Sequence, residues 1–192
     1  STVFIRNAEL VLNCGGPSEL AGLLMLDALA VLEGSSAISV NDSLIWAHGT
    51  IRGTGLTQTV ELALGATGQF SSSRGPAVPR TLSNRRLRNF GTIVWTAANP
   101  TQINDGAQFI NESGGNLALS GPGTRGVSSN LPSASRLVND GTLIVQGGAG
   151  GDIDVDFDNS GSVQVQEGLL RLRRAGTDAG SYTVDAPSVL AF

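Results

Sequence analysis

Lysine is absent from the 192 residues, and all 12 basic side chains are arginine. That excludes a P-loop phosphate site and a Schiff-base lysine. Histidine, cysteine and methionine occur once each, as His48, Cys14 and Met25. One cysteine excludes an intrachain disulfide, a cysteine-rich zinc site and an iron–sulfur cluster, and one histidine excludes a multi-histidine metal centre. Charged residues make up 15 % of the chain, against about 25 % in an average globular protein. With a net charge of −4 and no basic patch interleaved with aromatics, nucleic acid is not an expected partner. The most apolar stretch, 20–32, is shorter than the roughly 20 residues a bilayer requires, so no membrane span is expected. No basic segment leads into an apolar run, so no signal peptide is expected. Residues 2–5 and 189–192 read as strands without polar tails. That pattern fits a segment of a longer polypeptide, a processed subunit covered by neighbours, or a trimmed fragment.

Glycine is plentiful, 26 of 192, and it recurs in a pattern. The order is apolar, any, Asn, any, Gly, Thr or Ser, apolar, any, apolar. Three copies centre on Asn89, Asn139 and Asn159, with Gly91, Gly141 and Gly161 two residues on. A looser copy with two extra residues centres on Asn111. The steps between these asparagines are 22, 28 and 20 residues. Short alternating strands around an Asn-x-Gly corner, repeated near every 20 residues, predict a β-solenoid whose turns stack about 4.8 Å apart into one core. The asparagines are expected to form a side-chain ladder, and the glycines to occupy a positive φ at the corner. The expected fold is all-β: a single domain over 1–192, built as a right-handed parallel β-helix of about eight or nine coils. Residues 1–40 are less regular. Segment 19–33 suits a helix by propensity, capped by Ser18, and also suits two short strands. Segments 71–86 and 120–136, rich in Gly, Pro and Ser, read as loops leaving the coil.

These residues resemble the β-helix repeat modules of large secreted bacterial surface proteins, the autotransporter passengers and filamentous-haemagglutinin-like adhesins. The resemblance rests on Trp46 before Gly49-Thr50-Ile51-x-Gly53-x-Gly55 and on the four Asn coils. It continues through the closing Glu167-Gly168-Leu169-Leu170-Arg171-Leu172, Gly180-Ser181-Tyr182-Thr183-Val184 and Leu190-Ala191-Phe192. It covers roughly 40–192. It implies an extracellular module used for display, adhesion or fibre building, with no shared catalytic residues.

Candidate chemistry is sparse. Asp152, Asp154, Asp156 and Asp158 alternate with Ile153, Val155 and Phe157, which puts four carboxylates on one strand face. Preceded by glycines, Asp152, Asp154 and Asp156 form a calcium candidate; the bland alternative is a solvated face that resists edge pairing. No other cofactor is expected, and the carboxylate spacing does not identify a glycosidase. His48 beside Trp46 reads as a packed side chain, and Cys14 as a small buried thiol or an intermolecular disulfide. Arg80, Arg85, Arg86 and Arg88 form a basic cluster that would meet an acidic strand of a neighbour or an acidic glycan, or simply be solvated. Asn41 and Asn111 lie in glycosylation sequons, Asn111 at a repeat corner. Thr50, Thr92 and Thr142 share a position after glycine, which raises an ice-binding surface without the regular threonine array that requires. The expected function is therefore structural or adhesive: a fibre or surface-protein subunit, not an enzyme, that self-associates head-to-tail through open ends at Thr2, Phe4, Leu190 and Phe192. The alternative is a glycan-binding module, for which Trp46, Trp95 and Tyr182 are the aromatic candidates.

Overall fold

A computed structural model of the chain describes residues 1–14, 16–25, 28–71, 79–96, 98, 100–130 and 134–192. Among these there is no helix. Strands β1 (Thr2–Ile5) and β2 (Glu9–Val11) begin the coil. Strands β3 (Ser18–Met25), β4 (Val31–Glu33), β5 (Ile38–Trp46) and β6 (Gly49–Arg52) form the next two turns. From there each turn uses three strands. They are β7 (Thr59–Leu62), β8 (Thr67–Phe70) and β9 (Arg80–Ser83), then β10 (Arg86–Asn89), β11 (Thr92–Trp95) and β12 (Thr101–Asn104). Next come β13 (Gln108–Asn111), β14 (Asn116–Ser120) and β15 (Gly123–Ser128), then β16 (Arg136–Asn139), β17 (Thr142–Gln146) and β18 (Ala149–Ile153). Strands β19 (Asp156–Asn159), β20 (Ser162–Val165) and β21 (Gly168–Leu172) lead to β22 (Ser181–Val184) and β23 (Val189–Ala191).

Each strand pairs in parallel with its counterpart in the neighbouring turn, giving a β-solenoid of about eight turns with three faces. The first face carries β7, β10, β13, β16 and β19. The second carries β1, β8, β11, β14, β17, β20 and β22. The long β3 and β5 run round the corner between these two, so both belong to one 14-stranded sheet. The third face is a separate 9-stranded sheet from β2 to β23. Inward residues of all three faces make one apolar cluster running from Ile5 to Leu172. Its middle is aromatic: Phe70 lies 5.4 Å from Trp46, 5.6 Å from Trp95 and 5.9 Å from Phe109, centroid to centroid.

Among the described residues of segment 19–33 there is no helix: β3 runs to Met25 and β4 begins at Val31, and residues 26 and 27 lie outside the described residues. In β3, paired to β1 on one side and β5 on the other, ladder bonds and the inward Leu23 and Met25 outweigh local helix propensity. Gly22 sits where the β3–β5 register shifts. The two expected loops are shorter than their composition suggests. Residues 80–83 form β9 and 86 begins β10, while 123–128 form β15. Residues 72–78 and 131–133, the rest of those segments' cores, lie outside the described residues. The threonine column is also shifted. Thr50 pairs with Thr81 on the third face, whereas Thr92 lies between Thr67 and Asn116 on the second, and Thr142 follows Asn116.

Candidate functional site

The corner between the first and second faces carries the repeat. Asn89, Asn111, Asn139 and Asn159 end successive first-face strands in direct register, and all four are buried. Their amides form a one-way ladder. Asn89 Nδ2 donates to Asn111 Oδ1 at 2.7 Å, Asn111 Nδ2 to Asn139 Oδ1 at 2.8 Å, and Asn139 Nδ2 to Asn159 Oδ1 at 2.8 Å. The second N–H of each turns to a corner carbonyl: Asn116 at 3.0 Å, Thr142 at 3.1 Å and Ser162 at 3.2 Å. The chain of bonds ends on Asp178, which accepts from Asn159 at 3.4 Å. It begins at Asn89 Oδ1, which faces the Leu62 turn and has no hydrogen-bond partner among the described residues.

The glycines act differently from expectation. Gly91, Gly141 and Gly161 do not have a positive φ. Each sits against the backbone of the preceding turn. A Cβ at Gly141 would overlap the Gly115 carbonyl oxygen and lie 2.5 Å from that of Glu112 and 2.9 Å from Asn111 Nδ2. The glycine is required by close approach, not by dihedral freedom.

The acidic run bends. Asp152 belongs to β18 on the third face and Asp156 to β19 on the first, so the four carboxylates do not share one strand face. Ile153, Val155 and Phe157 point into the core throughout. Arginines of the next turn occupy the carboxylates: Arg173 takes both oxygens of Asp152, and Arg174 Nε donates to Asp154 at 2.6 Å. Arg136 donates to Asp158 at 2.6 Å. A calcium ion at Asp152, Asp154 and Asp156 would have to displace these guanidinium groups. Among the described residues no group of three acidic, histidine or cysteine side chains is placed to hold a metal.

Hydrogen bonds from Arg173 hold the Asp152 carboxyl below the usual carboxylate range. Burial pushes the Asp158 carboxyl up, but the Thr177 backbone N–H, Arg136 and the Thr177 hydroxyl outweigh it, and it too ends lower than usual. A depressed folded-state pKa adds stability that is present above the unfolded value, about 4, and lost as pH falls through the folded value. Asp158→Asn is therefore expected to lower the urea midpoint at neutral pH. The gap to the parent should close as the buffer is taken below about pH 4. An equal gap at both ends of that range would remove the ion-linked account.

The basic cluster is not a surface. Arg80 and Arg85 are fully buried; only Arg86 and Arg88 face outward, and Arg88 bridges Glu61 at 2.9 Å and Glu112 at 2.6 Å. Arg80 lies over Phe70 and Trp95 and donates to Thr101 Oγ1 at 3.1 Å and the Ser71 carbonyl at 3.1 Å. Arg85 fills the corner between the third and first faces, donating to the carbonyls of Ser36, Arg52 and Thr59 in three preceding stretches of chain. Arg125 of β15, also buried, donates to the carbonyls of Ser120 and Gly123 in its own turn and of Thr96 in the preceding one. Burial lowers Arg80 and Arg85 to about 10, so both stay charged at neutral pH. Arg85→Ala is expected to cost about 3–5 kcal/mol in chemical denaturation, by opening a cavity and stripping three carbonyls of a donor. Arg85→Met, which refills the volume, should cost less. Equal losses would mean that the three unpaired carbonyls, and not the cavity, carry the cost.

The remaining candidates divide simply. Trp46 and Trp95 are core residues, so they offer no platform for a sugar, and Tyr182 is half-buried against Phe192. His48 is buried; Cys14, read as a small buried thiol or an intermolecular disulfide, is exposed, which removes the first of those readings. Asn111 is locked in the ladder, whereas Asn41 is exposed. At the ends, Phe4 and Phe192 are 65 % and 85 % exposed, Thr2 is exposed and Leu190 is half-buried on the core. No family model matches this sequence, and no curated protein or solved structure matches it. The geometry alone therefore carries the functional reading. Among the missed features, Arg85 had a signal: it stands four residues before Asn89, where the other repeats place Ala107, Ser135 and Val155, all buried. Arg80 and Arg125 had none.

Proposed function

We propose that this chain is a structural β-solenoid module of an extracellular surface or fibre protein, similar in kind to autotransporter passengers and filamentous haemagglutinins, and that it lengthens by end-on stacking of further parallel turns. One observation carries this reading. The terminal strands keep the same inward columns as the turns next to them, with Ile5 over Met25 at one end and Leu190 over Leu170 at the other. A further turn, from a second copy or from a longer chain, would add at either edge without rearrangement, because the outer backbone edge of a parallel strand is a template. Such a heterologous contact does not close and gives linear assemblies. The ion pairs of Arg88, Arg136, Arg173 and Arg174 each tie one turn to another, so they reinforce the long axis.

Electron microscopy and sedimentation of the native protein test this. Linear particles that shorten when Leu190 is replaced by Arg support it. Particles one solenoid long at all concentrations, with both ends free, overturn it.

A further inference from the structure

The three faces differ in charge and in pattern. Three of the five first-face strands put polar or charged residues outward throughout, as in Arg86-Leu87-Arg88-Asn89 and Asp156-Phe157-Asp158-Asn159, while β13 and β16 turn Ile110 and Val138 out among polar neighbours. On the second face the outward position is apolar in six of nine strands. Thr92-Ile93-Val94-Trp95 and Thr142-Leu143-Ile144-Val145 are apolar on both sides of the sheet. In register, the outward residues of this face form one column: Phe4, Leu24, Ile45, Val94, Ala118 and Ile144, interrupted by Gln69 at the fourth turn and continued by the polar Gln164 and Thr183. A flanking column is polar but uncharged, running through Thr67, Thr92, Asn116, Thr142 and Ser162. From β8 to β20 no strand of this face carries a charged side chain, whereas the ion pairs lie on the other two faces and their corners. A shallow groove of about 410 Å³ opens on it, beside Ile45, Thr67, Gln69 and Val94.

Parallel sheets with continuous apolar runs are characteristically covered on both sides. We propose that the second face is covered by the second face of another copy of this chain, sheet against sheet, about a two-fold axis near Val94. Three points favour a second copy. A two-fold contact sets the patch against itself, residue i on residue j, so charges buried in it must find opposite partners by symmetry; from β8 to β20 this face has no charge to pair or desolvate, and the other two faces do. Val94 lies in the fifth of nine second-face positions, so a two-fold there overlaps the full length of the face, setting Ile45 on Ile144 and Gln69 on Ala118 around a Val94 pair, with Gln164 and Thr183 at the rim. Nine strands about 4.8 Å apart and three outward residues wide give roughly 500 Å² per copy, about 1,000 Å² in total, the lower bound of a specific interface. Its apolar centre and hydroxyl-and-amide rim match the usual anatomy of such contacts. This lateral contact uses the side of the solenoid and is independent of stacking at the ends.

Sedimentation velocity over a concentration series reads the dimer. Val94→Arg is expected to weaken it about tenfold or more while circular dichroism stays unchanged. If Val94→Arg perturbs folding, crosslinking decides. In a Cys14→Ser background, Val94→Cys should form an intermolecular disulfide on mild oxidation, and Thr81→Cys on the third face should not. Leu190→Arg should leave the lateral dimer intact. A monomer at every concentration, a dimer indifferent to Val94→Arg, or a Val94→Cys chain that does not crosslink each overturns the proposal. So does a monomer that holds a neutral polysaccharide or ice through this face. Linear assembly lost only with Leu190→Arg would support end-on stacking and sink the lateral contact; a dimer sensitive only at Val94 would do the reverse.

Discussion

Gly141→Ala is expected to cost more than about 4 kcal/mol, or to prevent folding of the turns around it. The oxygen a new methyl group would overlap, that of Gly115, is not idle: it accepts the Thr142 N–H at 2.9 Å. Relief by moving the strand therefore breaks a ladder bond. It also displaces Asn111 Nδ2, 2.9 Å from the added carbon, and so reaches the asparagine ladder. The same contact recurs at Gly91 and Gly161, so the position is a column and not an isolated tight spot. Gly55→Ala is the control. Nothing lies within 4 Å of its Cβ position and its φ is not positive, so the change should stay within about 1 kcal/mol. Urea denaturation of the two variants, read against the parent, makes the comparison. Similar small losses at both sites would mean that the turns can slide apart to admit a methyl group.

Asn139→Ala is the second large effect, about 3–5 kcal/mol in the same measurement. Truncation leaves Asn159 Oδ1 and the Ser162 carbonyl without their donor, and takes from Asn111 Nδ2 one of its acceptors. Each buried polar atom left unpaired costs about 1–3 kcal/mol. Asn139→Asp should be worse than alanine. It keeps the shape but sets a buried negative charge against Asn159 Oδ1 and the Ser162 carbonyl, with no N–H to offer either. Asn89→Ala should cost less than Asn139→Ala, because Asn89 Oδ1 is already without a partner and its removal cancels part of the loss. A larger loss at Asn89 than at Asn139 would show that the amide ladder does not transmit stability in the direction its bonds run.

The solenoid was legible because stacked turns repeat their requirements. A corner that needs a buried amide and a residue without Cβ needs them in every turn, so Asn and Gly recur at Asn89, Asn139 and Asn159 with the same spacing to the glycine. What was not repeated was not legible. Arg80 and Arg125 fill single corners, and a lone arginine in a Gly- and Ser-rich stretch looks like a solvated loop residue. Segment 19–33 reads both ways because its strand character comes from β1 and β5 on either side, not from its own residues. The acidic run misled through periodicity: alternation continues around a corner as readily as along a strand, so Asp152 and Asp156 fall on different faces. The Gly91 column was located correctly but for the wrong physical reason, since a sequence shows that a side chain is missing and not what occupies its place.

The bonds between turns all lie along the solenoid axis, and each turn leans mainly on its two neighbours. Pulled from its termini, such a body has no single breaking point. It would shed one turn at a time, and each release of 20–28 residues would pay out roughly 70–100 Å of slack. The turns joined by the asparagine chain, from Asn89 to Asn159, would be the last to go. A filament made this way behaves as a stepwise shock absorber, yielding length from its ends while the middle stays intact.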